Sequence, residues 1–271
     1  MKQLENIPKI LYKYRNWGDD YHKRVLTSNE VFLASPANLN DPFDASLPFR
    51  YDVAEMTPEN ITKKLLITGR KRWPEIDETE LHERAYREQF SGRFDDDAYW
   101  KDMHENNKEA LHKDFGLLSL TRAPNNLLMW AHYANCHKGF CVGLDTDILY
   151  DTIGGTIGAV AYQNDFPIMP LFSEERQDIE AVVKMLNTKS PHWNYEEEYR
   201  VSKNAASNKV FTLPTEAIKE IIIGCNMSLA DRESILQVVD KNLPKAELWE
   251  AKISLEKFEL NLYKTTRITS I

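Results

Sequence analysis

Hydrophobic and polar positions alternate most cleanly in two stretches, LLSLT at 117–121 and FCVGLD at 140–145. Alternation predicts strands, because successive side chains point to opposite faces. In the first, Leu118 and Leu120 share one face, and Leu117, Ser119 and Thr121 share the other. In the second, Phe140, Val142 and Leu144 oppose Cys141, Gly143 and Asp145. Between them Leu127, Trp130, Ala131 and Ala134 recur at helical spacing, and Leu128, Met129, Tyr133 and Cys136 cover much of what remains. Pro124 and Asn125 are helix start signals; His137, Lys138 and Gly139 are stop signals. Only Asn125, His132 and Asn135 leave a polar stripe, so the pattern predicts a nearly buried helix. This strand–helix–strand unit is the expected centre of the core. Ser119, Thr121 and His132 are expected where it opens into a site.

Upstream, residues 9–15 alternate loosely, with Ile10, Tyr12 and Tyr14 opposite Leu11, Lys13 and Arg15, and predict a first strand. Residues 21–27 predict a short helix and residues 31–35 a second strand. The following PANLNDPFDASLPF is dense in turn formers yet carries Leu39, Phe43 and Phe49, which predicts an ordered loop anchored to the body. Residues 57–113 are charged and helical in period, with helices expected from Thr57, Asp77 and Asp96, their charges forming a solvated face. Downstream, a strand is expected at 156–162. An amphipathic helix follows at 174–189, with Ile179, Val182, Val183 and Leu186 inward. Then come a strand through Val201, an apolar strand at 218–224, and a helix at 228–242 with a capping-box-like start. Strands at 248–253 and 257–263 close the chain, with Phe258, Leu260 and Leu262 on one face. Strands alternate with helices but also run consecutively, the α+β pattern. The expectation is one domain over residues 1–271, with a mixed or antiparallel core sheet and a helical insertion at 57–113.

Composition narrows the function classes. The 271 residues carry a formal net charge of -8. That disfavours electrostatically driven, sequence-independent binding to DNA or to membranes. No stretch approaches the ~20 apolar residues of a membrane span, and MKQLENIPKILYKYR lacks the apolar core of a signal peptide. The three cysteines show no CxxC, so a reduced cytoplasmic protein without structural disulfides or a zinc site is expected. Cys136 and Cys141 are expected as small core residues.

The stretch WNYEEEYRV at 193–201 is the strongest chemical signal. As a strand it places Glu196, Glu198 and Arg200 on one face and Glu197, Tyr199 and Val201 on the other. Three adjacent carboxylates repel one another and suit a strand poorly. Two readings stand side by side: an exposed edge with a Glu198–Arg200 ion pair, or a carboxylate that holds a hydroxyl or acts as a general base. NDPFD at 40–44 reads as a rigid loop lining a pocket through Asn40, Asp41 and Asp44, with Asp41 or Asp44 hydrogen-bonded to backbone amides, or as a weak acidic metal site. Two carboxylates alone define no metal site. His132 and His137 stand about 140° apart around a helix and cannot chelate one ion, so no metal ligands are assigned. There is no GxSxG, Walker loop or dinucleotide-binding glycine fingerprint.

LYKYR, FLASPANLNDPFD, LLSLT with NLLMWAHYANCHKGFCVGLD, and WNYEEEYRV together resemble the ordered hallmarks of a widespread bacterial family of unknown function. Tyr199 stands where that family commonly has Trp. The same order resembles, more distantly, the ADP-ribosyltransferase superfamily. That resemblance implies NAD as substrate, and a toxin or phage-defence effector. It would place Arg15 or Lys13 on the NAD pyrophosphate. Ser119 and Thr121, as S-L-T in place of S-T-S, would form the hydroxyl strand. Glu198, in the Glu196–Glu198 pair, would be the catalytic glutamate, and Tyr12, Tyr14 or Tyr133 would stack on nicotinamide. The acceptor, protein or nucleic acid, stays open. Two other classes stand beside it: a metal-dependent nuclease or hydrolase using Asp41, Asp44, Glu196 and Glu198, and a non-catalytic ligand-sensing or interaction domain. Glu198→Gln is expected to leave folding unchanged, since no buried apolar volume is lost.

Overall fold

The computed structural model describes residues 7–172 and 175–265. In chain order, β1 (Ile10–Arg15), α1 (Asp20–Thr27) and β2 (Glu30–Leu33) lead through a long loop to β3 (Arg50–Tyr51). Three helices follow, α2 (Pro58–Arg72), α3 (Glu78–Gln89) and α4 (Asp97–Asp114). The central unit is β4 (Gly116–Thr121), α5 (Leu127–Tyr133) and β5 (Phe140–Asp145). Next come α6 (Thr146–Ile153), β6 (Thr156–Ala159), β7 (Ala161–Tyr162), β8 (Ile168–Met169), α7 (Glu175–Leu186) and β9 (Thr188–Lys189). The chain continues with β10 (Glu198–Lys203), β11 (Lys209–Thr212), β12 (Ile218–Ile223), α8 (Leu229–Asn242), β13 (Glu247–Ile253) and β14 (Leu260–Lys264). Among the described residues no helix is long and apolar enough to cross a membrane.

Eight strands form one sheet in the order β14-β13-β12-β5-β1-β4-β10-β6. Only β12 and β13 run parallel; the other pairs are antiparallel. The fold is therefore α+β with a mixed, largely antiparallel sheet. The alternation read from the sequence sets its two faces. Leu11, Leu118, Leu120, Phe140, Val142, Leu144, Ile221 and Val201 join the large core that also takes up Val25 and Leu26 of α1 and Ile235 and Val239 of α8. On the opposite face Tyr14, Cys141 and Ile222 pack with Met129 and Trp130 of α5. Two opposed cores need strands apolar on both sides, which is why Phe140–Leu144 of β5 and Ile221–Ile223 of β12 carry no charged residue.

Several local expectations are corrected. The Asn126 side chain accepts from the Leu128 and Met129 amides, at 2.9 and 3.1 Å, and so starts α5 later than Pro124. Asn135, Cys136 and His137 all adopt positive φ, which ends the helix early. Leu128, His132 and Cys136 are consequently exposed, so α5 is a half-buried helix and Cys136 is no core residue. The strand expected at 156–162 breaks at Val160 into β6 and β7, which belong to different sheets. Phe258 lies in the β13–β14 turn, fully exposed, and Ile179 on α7 faces outward. The start of α7 expected at Glu174 lies outside the described residues. Besides the two-residue strands β3, β8 and β9, two elements went unread, β11 and α6. The second had a signal, since Asp145 ends β5 and its carboxylate caps the Ile148 amide at 3.1 Å.

Candidate functional site

β1 is paired along its whole length with β5, but it meets β4 at a single rung, Tyr12 opposite Thr121. Beyond that rung the two strands part. The far end of β4 pairs instead with Ala34, through Leu117. The sheet thus consists of two leaves, β14-β13-β12-β5-β1 and β4-β10-β6, with a wedge between them. Across it the Lys13 ammonium donates to the Ser119 carbonyl at 2.5 Å, in place of a missing ladder bond.

A cavity of about 730 Å³ opens from this wedge on the α5 side, within the ~300–1,000 Å³ of small-molecule sites. Its walls come from β1 (Tyr12 to Arg15), β4 (Ser119), α5 (Met129, His132, Tyr133), the loop at Asn38 to Asp44, and the segment from Lys189 to Glu198. Most of the residues singled out from the sequence therefore converge: Tyr12, Lys13, Tyr14, Arg15, Asn40, Asp44, Ser119, His132, Tyr133, Glu196 and Glu198 all line it. Two do not. Thr121 is buried and its hydroxyl accepts from the Ala123 amide at 3.0 Å, holding the turn after β4. Asp41 accepts from the Phe43 amide at 3.0 Å, so the loop-stabilising role falls to it alone.

The acidic stretch is not one strand. Ser190 and Pro191 start a 3₁₀ helix over Pro191–Glu196, Glu197 turns in the left-handed region at φ 43, and β10 begins only at Glu198. The element differs from the expected strand, but the expected sidedness of the carboxylates is kept. Glu197 goes outward to pair with Arg122, while Glu196 and Glu198 both point inward, 4 % and 3 % exposed.

What they meet there is a closed cluster. Lys189 Nζ lies 2.7 Å from Glu196 Oε2, 3.2 Å from Asp44 Oδ2 and 3.3 Å from Glu198 Oε2. Arg200, fully buried, donates through Nε and Nη2 to Glu198 Oε1 at 2.9 and 2.7 Å, and through Nη1 and Nη2 to the two Asp44 oxygens at 2.8 and 3.1 Å. It also donates to the Leu186 carbonyl. Tyr133 donates to Glu196 Oε1 at 2.5 Å. The Trp193 ring lies 4.8 Å from the Lys189 ammonium, and the Glu198 amide donates to the Tyr162 hydroxyl at 2.9 Å.

Burial by itself would raise the Glu198 carboxyl. Arg200 and Lys189 overcome it, helped by the Ser119 hydroxyl, and hold it at about 2, so it is ionised at neutral pH. Burial likewise disfavours charge on Lys189 and Arg200, yet the surrounding carboxylates push both above their ordinary values. Three carboxylates against two cations leave the cluster one negative charge in excess.

The opposite wall has the other sign. Among the described residues neither Lys13 nor Arg15 has a carboxylate within ion-pair distance. Burial brings the Lys13 ammonium down to about 7, Arg15 adding to the effect, and brings Arg15 down to about 10. Asp19 offsets Arg15, and Glu198 and Glu196 offset Lys13, only in part, so two desolvated cations crowded together give this wall a positive bias suited to an anion.

Among the described residues no group of three or more His, Cys, Asp or Glu side chains is placed to hold a metal ion. The point shared by Asp44, Glu196 and Glu198 is filled by the Lys189 ammonium. Lys189, Trp193 and Tyr195 were not singled out from the sequence. Lys189 sits at the end of an unremarkable amphipathic stretch, and nothing local distinguishes it from a surface lysine. Trp193 and Tyr195 carried a signal, being aromatics beside the acidic run.

Residues 129–201 match a family described as a protein of unknown function (DUF2971). The matched segment runs from α5 into β10 and so contains Tyr133, Lys189, Glu196, Glu198 and Arg200. No curated protein and no solved structure matches the chain.

Proposed function

We propose that this protein consumes NAD, breaking the bond between nicotinamide and ribose and passing the ADP-ribosyl group to an acceptor. One observation carries the reading: the cavity is bipolar, with a net-negative wall at Glu196 and Glu198 and a positive wall at Arg15, which Lys13 joins when it is protonated. NAD is bipolar in the same sense, a pyridinium cation joined through ribose to a diphosphate. An excess of opposite charge at each end fixes its direction of binding.

The chemistry follows from the placement. Glu198 Oε1 is occupied by Arg200, the Ser119 hydroxyl also reaches the carboxylate, and the Oε2 contact with Lys189 is long, at 3.3 Å; a carboxylate oxygen accepts more than one hydrogen bond. Oε2 can therefore accept the ribose 2′-hydroxyl. As the C–N bond breaks, its electron pair neutralises the pyridinium nitrogen and nicotinamide leaves neutral. Positive charge then appears at the anomeric carbon, where a fixed carboxylate stabilises it more than it stabilises the ground state. The acceptor nucleophile attacks that carbon and loses its proton. Tyr133 and Lys189 hold Glu196 beside Glu198, which keeps the negative wall in place. Tyr133, Trp193 and Tyr195 supply ring faces for the departing nicotinamide.

The test is nicotinamide release by the purified protein, wild type beside Glu198→Gln, each with and without a chelator. Turnover is expected to fall by at least ~100-fold in the variant, the scale of a lost electrostatic contribution, with the chelator without effect. Retained NAD binding and an intact circular dichroism spectrum show that the variant is folded. The reading fails if wild type neither binds nor cleaves NAD. If the variant binds NAD and cleaves it at the wild-type rate, the role passes to Glu196.

A further inference from the structure

A second cavity, of about 490 Å³, lies on the other side of the same wedge, between β1, α1, β2 and β4. It shares Lys13, Arg15, His22, Asn38, Leu39 and Ser119 with the first. The two cavities thus meet at the cationic neck of the wedge, and Lys13 and Arg15 are reachable from both.

The second cavity differs in character. Its inner end is the cationic neck. Its outer wall carries an apolar patch open to solvent beside the Arg24–Glu30 ion pair: Phe32 and Val210 sit directly opposite each other on the β2–β11 ladder, 43 % and 48 % exposed, and Tyr21 is exposed as well. Exposed apolar neighbours beside desolvated cations suit a ligand that is anionic at one end and flat and apolar at the other. Polar groups between the two ends match it. The His22 Nδ1 accepts from the Asn16 amide, at 3.2 Å, which leaves Nε2 as a donor in the neutral ring. Asn38 spends its amide nitrogen on Asn208, at 3.0 Å, which leaves its carbonyl oxygen as an acceptor.

We infer that this second cavity seats the aromatic base of a nucleotide whose phosphates are held at Lys13 and Arg15. The inference rests on the proposed NAD chemistry for its fullest form, in which one dinucleotide spans the wedge, nicotinamide on the α5 side and adenine against Phe32 and Val210. The base site itself is defined by this cavity's own residues and is tested apart from any turnover.

The experiment is calorimetric titration of the full chain with ADP and, separately, with inorganic diphosphate, for wild type, Val210→Arg and Phe32→Ser. Both positions are partly exposed strand residues, and melting curves check that each variant folds. Wild type is expected to bind ADP at least tenfold more tightly than diphosphate. Both variants are expected to lose at least that factor for ADP while keeping the diphosphate affinity. The inference is overturned if wild type binds ADP no better than diphosphate, or if both variants bind ADP as wild type does. Nicotinamide release separates it from the reading above. Base-dependent ADP binding without NAD cleavage would leave the base site standing and remove the reaction. NAD cleavage together with ADP binding indifferent to Val210 and Phe32 would do the reverse.

Discussion

Burial, with Arg15 acting in the same direction, lowers the Lys13 ammonium to about 7, while Glu198 and Glu196 oppose the shift. The folded value lies below the ordinary 10.5. The unfolded chain therefore binds more protons between these limits, and the stability contribution of Lys13 rises as pH climbs from about 7 towards 10.5. Below about 7 the full cost of the buried charge is present. Anion binding runs the other way. Above pH 7 an incoming phosphate must recruit a proton to Lys13, so wild-type ADP affinity is expected to fall by up to tenfold per pH unit. Lys13→Arg, charged throughout, is expected to hold its affinity from pH 6.5 to 8.5. Titrations at those pH values check this, and a flat wild-type profile would remove Lys13 from the anion site. Glu198 has the opposite sign. Its carboxyl is depressed from 4.5 to about 2, so it contributes stability above pH 4.5 that is lost as pH falls through 2. The expectation that Glu198→Gln leaves folding unchanged weighed apolar volume alone. With Arg200 and Lys189 both buried against it, losing the charge is expected to lower the melting temperature, at most on the ~3–5 kcal/mol scale of a broken buried pair. A variant melting with wild type would show that water or Asp44 compensates.

At the scale of elements, the sequence was most legible where one face of a strand meets a core. β4, β5 and β12 follow from alternation because burial on a fixed side forces it. The 3₁₀ segment at Pro191–Glu196 was misread because Trp193 and Tyr195 mimic strand composition, although Ser190 before Pro191 is the chemistry of a helix start. The two-residue strands β3, β8 and β9, and the pairings β7–β9 and β3–β8, were not legible. Their partners are distant in sequence, and so short a run has no period. The way the first leaf closes rests on a glycine. A Cβ on Gly139 would lie 2.1 Å from the Arg15 carbonyl and 3.0 Å from that of Ala134. Both neighbours are backbone and cannot swing away. Gly139→Ala is therefore expected to push β5 from the end of β1 and cost ~1–3 kcal/mol or more. Chemical denaturation reads this directly, and an unchanged midpoint would show that the turn after α5 absorbs the methyl.

Over the whole molecule, the α+β class and the cavity residues were legible through residue type, and their convergence was not. Tyr12, Ser119 and Glu198 are neighbours because β1, β4 and β10 stand side by side in the sheet, an order no local pattern encodes. Asp44 joined the cluster because Arg200 reaches it across 156 positions of chain, whereas the NDPFD motif alone suggested a pocket-lining loop or a weak acidic metal site and no basic partner. The single Tyr12–Thr121 rung predicts how the leaves respond to ligand. On saturation with ADP, deuterium uptake is expected to fall together in peptides covering residues 13–16 and 117–121, one from each leaf. Protection confined to one of them would mean that the wedge is not where the anion sits.

That single rung also makes the sheet a pair of covers on a spine. A continuous ladder resists shear along its whole length; here one rung, the Lys13 strap, the Tyr14 hydroxyl bond to the Ala123 carbonyl and the shared core oppose a change of angle. Glu198 rides on one cover and Arg15 on the other, so the separation of the two charged walls is a mechanical coordinate. A partner that bears on the outermost strand, β14 or β6, would retune the cavity by leverage, without touching any residue that lines it.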